Sequence, residues 1–224
     1  MRALAGVLLA CWLATAGSSQ QGEVGVSSMA TVTLTFDNPN LAPNHYKLTI
    51  RENGSGDYAS SDGIAKGAAA GKAKDFHQEV SITEPLLGQI FTTARANKRF
   101  AIACEMAKGD KVAFQGHKTL SYEGPDGKGS CTYNYSQNKQ IQKLGEDLQA
   151  VSSTLEAGYR LSMEHQHDRL SLDAELGWLA QSVKDGRSIE VQNIHDVLEE
   201  IAADPGVLNR ARQRATTLAQ EKPQ

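Results

Sequence analysis

SQNKQIQKLGEDLQAVSSTLEAGYRLSMEHQHDRLSLDAELGWLAQSVK, residues 136–184, is the stretch whose reading decides the fold. It contains no proline, and Leu144, Leu148, Val151, Leu155 and Tyr159 recur at steps of four, three, four and four. That spacing places them on one face of a helix. Leu172, Leu176, Leu179 and Val183 repeat the pattern. A stripe of this kind must pack on something, either the helices that follow or the segment that precedes. Ser136 fits the helix N-cap. Ser152, Ser153, Thr154 and Gly158 are the expected weak points, and Arg169–Asp173 the expected break.

Downstream, Gly186 sits where a helix C-terminus favours glycine. A helix is expected from about Ile189 to Ala203, burying Ile194, Val197, Leu198 and Ile201. Asp204-Pro205-Gly206 then stops it and caps a last helix from about Pro205 to Ala219, burying Val207, Leu208, Ala211, Ala215 and Leu218. Together these read as an antiparallel helical bundle over 136–220.

Upstream the period changes to two. Val32, Leu34 and Phe36 alternate with threonines, and Tyr46, Leu48 and Ile50 alternate again. Asn53-Gly54 marks a hairpin into Asp57–Ser60, and Phe76, Gln78, Val80 and Ile82 suggest a fourth strand. Thr83-Glu84-Pro85 reads as a helix start with Thr83 as the capping hydroxyl, and the helix runs to about Lys98 and onward towards Cys104. Gly124–Gly129 is a hairpin signal between strands at about Lys118–Tyr122 and Ser130–Tyr135. The class is therefore α+β: an antiparallel β-rich part with one helix over 29–135, then the helical bundle, with the boundary near Ser136. Ser61–Lys74, rich in glycine, alanine and lysine, reads as a flexible loop.

Residues 1–16 read as an export signal: Arg2, an apolar run from Ala3 to Ala14, and the small-x-small pattern Ala14-Thr15-Ala16. A polar leader, 17–28, follows. Leu8-Leu9-Ala10-Cys11 offers a second reading, a lipoprotein anchored through Cys11. No later stretch is apolar for the roughly 18 residues that a membrane span needs. The location expected is the periplasm or the exterior. The formal charge of −3 in 224 residues argues against a nucleic-acid binder. Cys104 and Cys131 remain beyond the signal, and an even pair in an exported protein reads as a disulfide.

The densest polar cluster is Glu164-His165-Gln166-His167-Asp168, with Asp173 and Glu175 nearby. His165, His167 and Asp168 are the candidate metal ligands, with His195 a guess for a third. The helical context weakens this, because positions i and i+2 point about 200° apart. Ion pairing of His165 with Asp168 on an exposed helix face is the plainer reading. Ser136-Gln137-Asn138-Lys139 matches the S-x-x-K of penicillin-recognising enzymes, but its companion motifs are missing. His45, His77 and His117 stand alone. Tyr122, Tyr133 and Tyr135, with Tyr46 and Tyr58, can form an aromatic face for a glycan or a protein, or simple cross-strand pairs. No catalytic set is assembled, and no cofactor is expected.

ITEPLLGQIFTTARANKRFAIAC (82–104), SYEGPDGKGSCTY (121–133) and DRLSLDAELGWLAQSVKDG (168–186) resemble an uncharacterised group of exported, acidobacteria-like bacterial proteins. The resemblance implies export and a two-part layout, and brings no activity or site residue. The function expected is a non-enzymatic binding protein of the periplasm or envelope, with an envelope protein as partner. The alternative is an envelope hydrolase or metal-dependent enzyme built around His165.

Overall fold

Alternation of apolar and hydroxyl-bearing residues becomes a sheet. In the computed structural model, which describes residues 29–61, 75–106 and 112–221, six strands form. They are β1 (Thr31–Asp37), β2 (His45–Arg51), β3 (Ser55–Ser61), β4 (Asp75–Ser81), β5 (His117–Gly124) and β6 (Gly127–Tyr133). All neighbours are antiparallel, in the order β4-β3-β2-β1-β5-β6. The register sets Leu34 opposite Leu48 on one side and Leu120 on the other. One face is thereby apolar and buried, while Thr33, Thr35, Lys47, Thr49 and Thr119 lie on the other, which is partly open. A one-residue slip would exchange the two faces. The expected signal, leader, Cys11 and all of the glycine-rich loop except Ser61 lie outside the described residues.

Five α-helices follow or interrupt the strands. They are α1 (Leu86–Ala96), α2 (Lys139–His167), α3 (Leu172–Lys184), α4 (His195–Ala203) and α5 (Asn209–Ala219). The α+β class with an N-terminal antiparallel sheet and C-terminal helices is thus present. Its centre is α2, 29 residues and so about 43 Å long. Leu144, Leu148, Val151 and Leu155 of α2 share one hydrophobic core with the covered face of the sheet and α1. Ala157 and Leu161, further along the same helix, belong to a second core with α3, α4 and α5.

Several boundaries differ from expectation, each for a local reason. The N-cap of α2 is Asn138, whose side chain accepts from the N–H groups of Gln140 and Ile141. Ser136 sits two residues earlier and accepts from Asn138 N. Thr83 does not cap α1; Glu84 reaches Gly88 N at 3.0 Å, and Thr83 is held elsewhere. The expected weak points leave α2 unbroken. Ser152 and Thr154 bond back to the carbonyls of Leu148 and Ala150, and Gly158 admits Ile194, which a Cβ there would approach to 2.3 Å. The first helix stops at Ala96 because Lys98, Arg99 and Phe100 turn left-handed, which buries Phe100. The penultimate helix begins at His195 after a 3-10 turn, Val191–Ile194. The last helix begins at Asn209, since Asp204 captures the N–H groups of Gly206 and Val207 in a turn of its own. Leu208 is consequently 49% exposed and is not a core residue.

Each edge of the sheet meets a neighbouring segment over part of its length. On β4, Asn193 Oδ1 accepts from Ser81 N at 2.7 Å and Asn193 Nδ2 donates to Ser81 O at 3.0 Å, a side-chain imitation of a strand partner. On β6, Gly129 lies so close to the Lys98–Ala101 segment that a Cβ would sit 2.4 Å from Arg99 O. Cys104 and Cys131 are bonded there, with Cα atoms 5.7 Å apart.

Candidate functional site

The cluster expected at His165 disperses. His165 Nε2 meets Asp204 Oδ2 at 2.9 Å, and Arg169 meets the same oxygen at 3.1 Å. The expected partner, Asp168, instead accepts from the Ser171 hydroxyl at 2.6 Å as α2 ends. His167 is exposed, as the opposed directions of i and i+2 require. Asp173 is clamped by Arg210 and Arg214, which hold its carboxyl below the usual range. Asp204 is held down first by the Gly206 N–H and then by His165. His195 pairs with Glu199 one turn on, at 3.1 Å. Among the described residues, no three His, Cys, Asp or Glu side chains converge where a metal ion could sit. Glu164 alone keeps a strained electrostatic position. Its Oε2 is buried without a hydrogen-bond partner, and burial, then Glu175 and Asp168, push its pKa up.

The S-x-x-K match is a capping turn, with Ser136 buried and Lys139 exposed at the first turn of α2. His45 pairs with Asp37 at 2.7 Å, and His117 meets Phe114 edge-on. The tyrosines fall mostly inside. Tyr46, Tyr58, Tyr122 and Tyr133 are all buried on the helix-covered face. Phe36, Tyr46, Tyr58, Phe76 and Tyr159 form a continuous file of ring contacts at 4.6–5.9 Å.

Where that file reaches the surface there is a cleft of about 250 Å³. Its floor is Phe36 with Tyr46 and Tyr58, from three adjacent strands. One wall is the α2 face Gln149, Ser152, Ser153, Glu156 and Arg160, and Trp178 of α3 closes that side. The opposite lip is Leu41, Ala42 and Pro43. That lip is a stiff turn: Asn38 N donates to Asn44 O at 2.8 Å, and Asn38 Oδ1 accepts from Asn40 N at 3.0 Å.

Charge in the cleft is arranged, not random. Tyr58 donates to Glu156 Oε1 at 2.8 Å. Burial, reinforced by Glu156, raises the pKa of Tyr58, and burial raises that of Tyr46, so both hydroxyls remain protonated donors. Arg160 donates Nε to Glu175 at 2.8 Å and lays its guanidinium 5.4 Å from the centre of the Trp178 ring. Trp178 and Leu41 remain 43% and 54% exposed. The cleft therefore offers an apolar platform, hydroxyl and amide groups, one carboxylate and a neutralised guanidinium within one small volume.

Sequence reading missed this cleft because its parts lie far apart along the chain. One signal was available: Trp178 interrupts the Leu172, Leu176, Leu179 stripe and must point away from the α3 core. No family model matches the chain, and no curated protein or solved structure was found to match it.

Proposed function

We propose that the chain is an exported, non-enzymatic binding protein that holds a small ligand in the cleft between the Asn38–Asn44 turn, α2 and α3. The observation that carries this reading is Trp178, a large indole left 43% exposed at a cavity that α2 lines with hydrogen-bonding side chains and that Phe36, Leu41, Ala42 and Pro43 line with apolar ones. Ligand sites combine apolar walls with a few placed polar groups in this way. The bonded pair Cys104–Cys131 supports an oxidising location, as does the apolar run of residues 3–14. An enzyme at His165 is less well supported, since Asp204 and Arg169 occupy that imidazole's surroundings. The test is native mass spectrometry after incubation with a small-molecule extract of the source cells. A noncovalent adduct seen with the wild type and lost in Trp178→Ala supports the reading. An extract that adds nothing refutes it.

A further inference from the structure

We infer that the ligand of this cleft is a neutral saccharide unit, a hexose or N-acetylhexosamine in size; the inference rests on the binding reading above and names its ligand class. Three features select it. The volume of about 250 Å³ lies just under the roughly 300–1,000 Å³ of drug-sized sites, so it suits one small compact ring. The walls mix donors and acceptors. The Gln149 amide bonds Tyr46 but has further donor and acceptor sites, the Ser153 hydroxyl meets Ser188 Oγ at 3.2 Å and keeps an acceptor lone pair, and Glu156 Oε2 accepts, because its bond from Tyr58 is made through Oε1. A sugar hydroxyl donates and accepts at the same oxygen, so it satisfies such a set where a purely apolar or purely ionic ligand would strand half of it. Trp178, partly exposed with Arg160 over its ring, lines the same cleft as Leu41 and Pro43, and together they supply an apolar seat for the C–H face of a pyranose ring.

Charge separates a neutral sugar from an acidic one. Arg160 is already paired with Glu175 at 2.8 Å, so its cation is locally balanced. Among the described residues Glu156 forms no ion pair, so the cleft carries one carboxylate that no cation balances. A uronic acid would bring a second carboxylate towards it and meet like-charge repulsion. The same carboxylate accepts two sugar hydroxyls well, since charged acceptors make the stronger hydrogen bonds.

Saturation-transfer NMR on the intact protein tests this. The probes are glucose, galactose, mannose, N-acetylglucosamine and cellobiose, with glucuronate as the acidic comparison and a set of non-saccharide polar molecules (amino acids, polyamines, nucleosides) alongside. At least one neutral sugar is expected to show transfer, with glucuronate weaker. Trp178→Ala is expected to lower affinity about tenfold through loss of one aromatic contact. Glu156→Gln, which keeps the shape of the cleft, is expected to narrow the gap between glucose and glucuronate. Transfer to a non-saccharide probe alone, lost in Trp178→Ala, overturns the saccharide assignment and leaves the binding reading standing. Transfer to none of the probes, together with no adduct from the extract, overturns both. Sugar transfer that persists unchanged in Trp178→Ala overturns the placement at this cleft.

Discussion

Replacing Glu190 should loosen the joint between sheet and helices more than any other single polar change. Glu190 is 1% exposed and stands on a left-handed backbone, φ 57°. Its carboxylate accepts from Thr83 N at 3.0 Å, from the Thr83 hydroxyl at 3.1 Å, and from Gln192 Nε2. It thereby ties the β4–α1 connection to the turn that precedes α4. Hydrogen bonds to a charged acceptor contribute roughly 1.5–3 kcal/mol each, and a buried donor left without a partner costs about 1–3 kcal/mol. Glu190→Ala strands the Thr83 N–H and hydroxyl together, so a loss of about 3–5 kcal/mol is expected. Glu190→Gly strands the same groups but releases the left-handed backbone, which costs an ordinary residue roughly 1–2 kcal/mol. The glycine variant should therefore be more stable than the alanine variant by about 1 kcal/mol. Urea unfolding at pH 7, followed by both far-ultraviolet circular dichroism and tyrosine fluorescence, measures both differences. An alanine variant within about 0.5 kcal/mol of wild type, the range of an ordinary surface substitution, would refute the reasoning.

Three further outcomes are expected. Cys104→Ala with Cys131→Ala opens a loop of 27 residues, which the chain-entropy relation sets at about 3.5 kcal/mol, a fall in Tm of roughly 7–14 °C by scanning calorimetry; an unchanged Tm would contradict it. Lys118 is 2% exposed with its ammonium over the Tyr133 ring, and burial lowers its pKa below 10.5 against the smaller pull of Glu146 and Glu105. The folded state then binds fewer protons than the unfolded state between the lowered value and 10.5, so stability rises with pH across that window. Lys118→Met should accordingly gain stability over wild type at pH 7 and lose that advantage as the pH nears 10.5; a difference independent of pH sinks the account. Asn193→Ala removes its two bonds to Ser81, leaving Ser81 O the weaker Gln192 Nε2 contact at 3.3 Å, and unpairs that end of the β4 edge, so light scattering after size exclusion should show dimers or larger species where wild type shows fewer.

Much of the architecture could be read from spacing. The period-two runs around Val32, Leu48 and Leu120 became strands, and the Leu144–Leu155 stripe became the packed face of α2. These signals are local and repeat several times within one element, so no tertiary contact has to be known. Helix ends were less legible, because several nearby side chains competed to cap them. Asn138 took the role read for Ser136, and Asp204 delayed α5 to Asn209. Leu208 was read as buried on periodicity alone, yet the turn before α5 shifted it to the surface. His165 could not be paired correctly from its neighbours, since Asp204 lies 39 residues away. The cleft was the least legible part. Its members run from Phe36 to Trp178, and only strand order and the lie of α2 bring them together.

A rod of about 43 Å that lies in one core along its first half and in another along its second leaves neither core complete without it. The stretch from Gln149 to Arg160, which walls the cleft, spans the change from one core to the other. Val151 and Leu155 belong to the first core and Ala157 to the second, with no break in the helix between them. Losing either core strips α2 of half its packing, so sheet and helices share one continuous seam and not two separable surfaces.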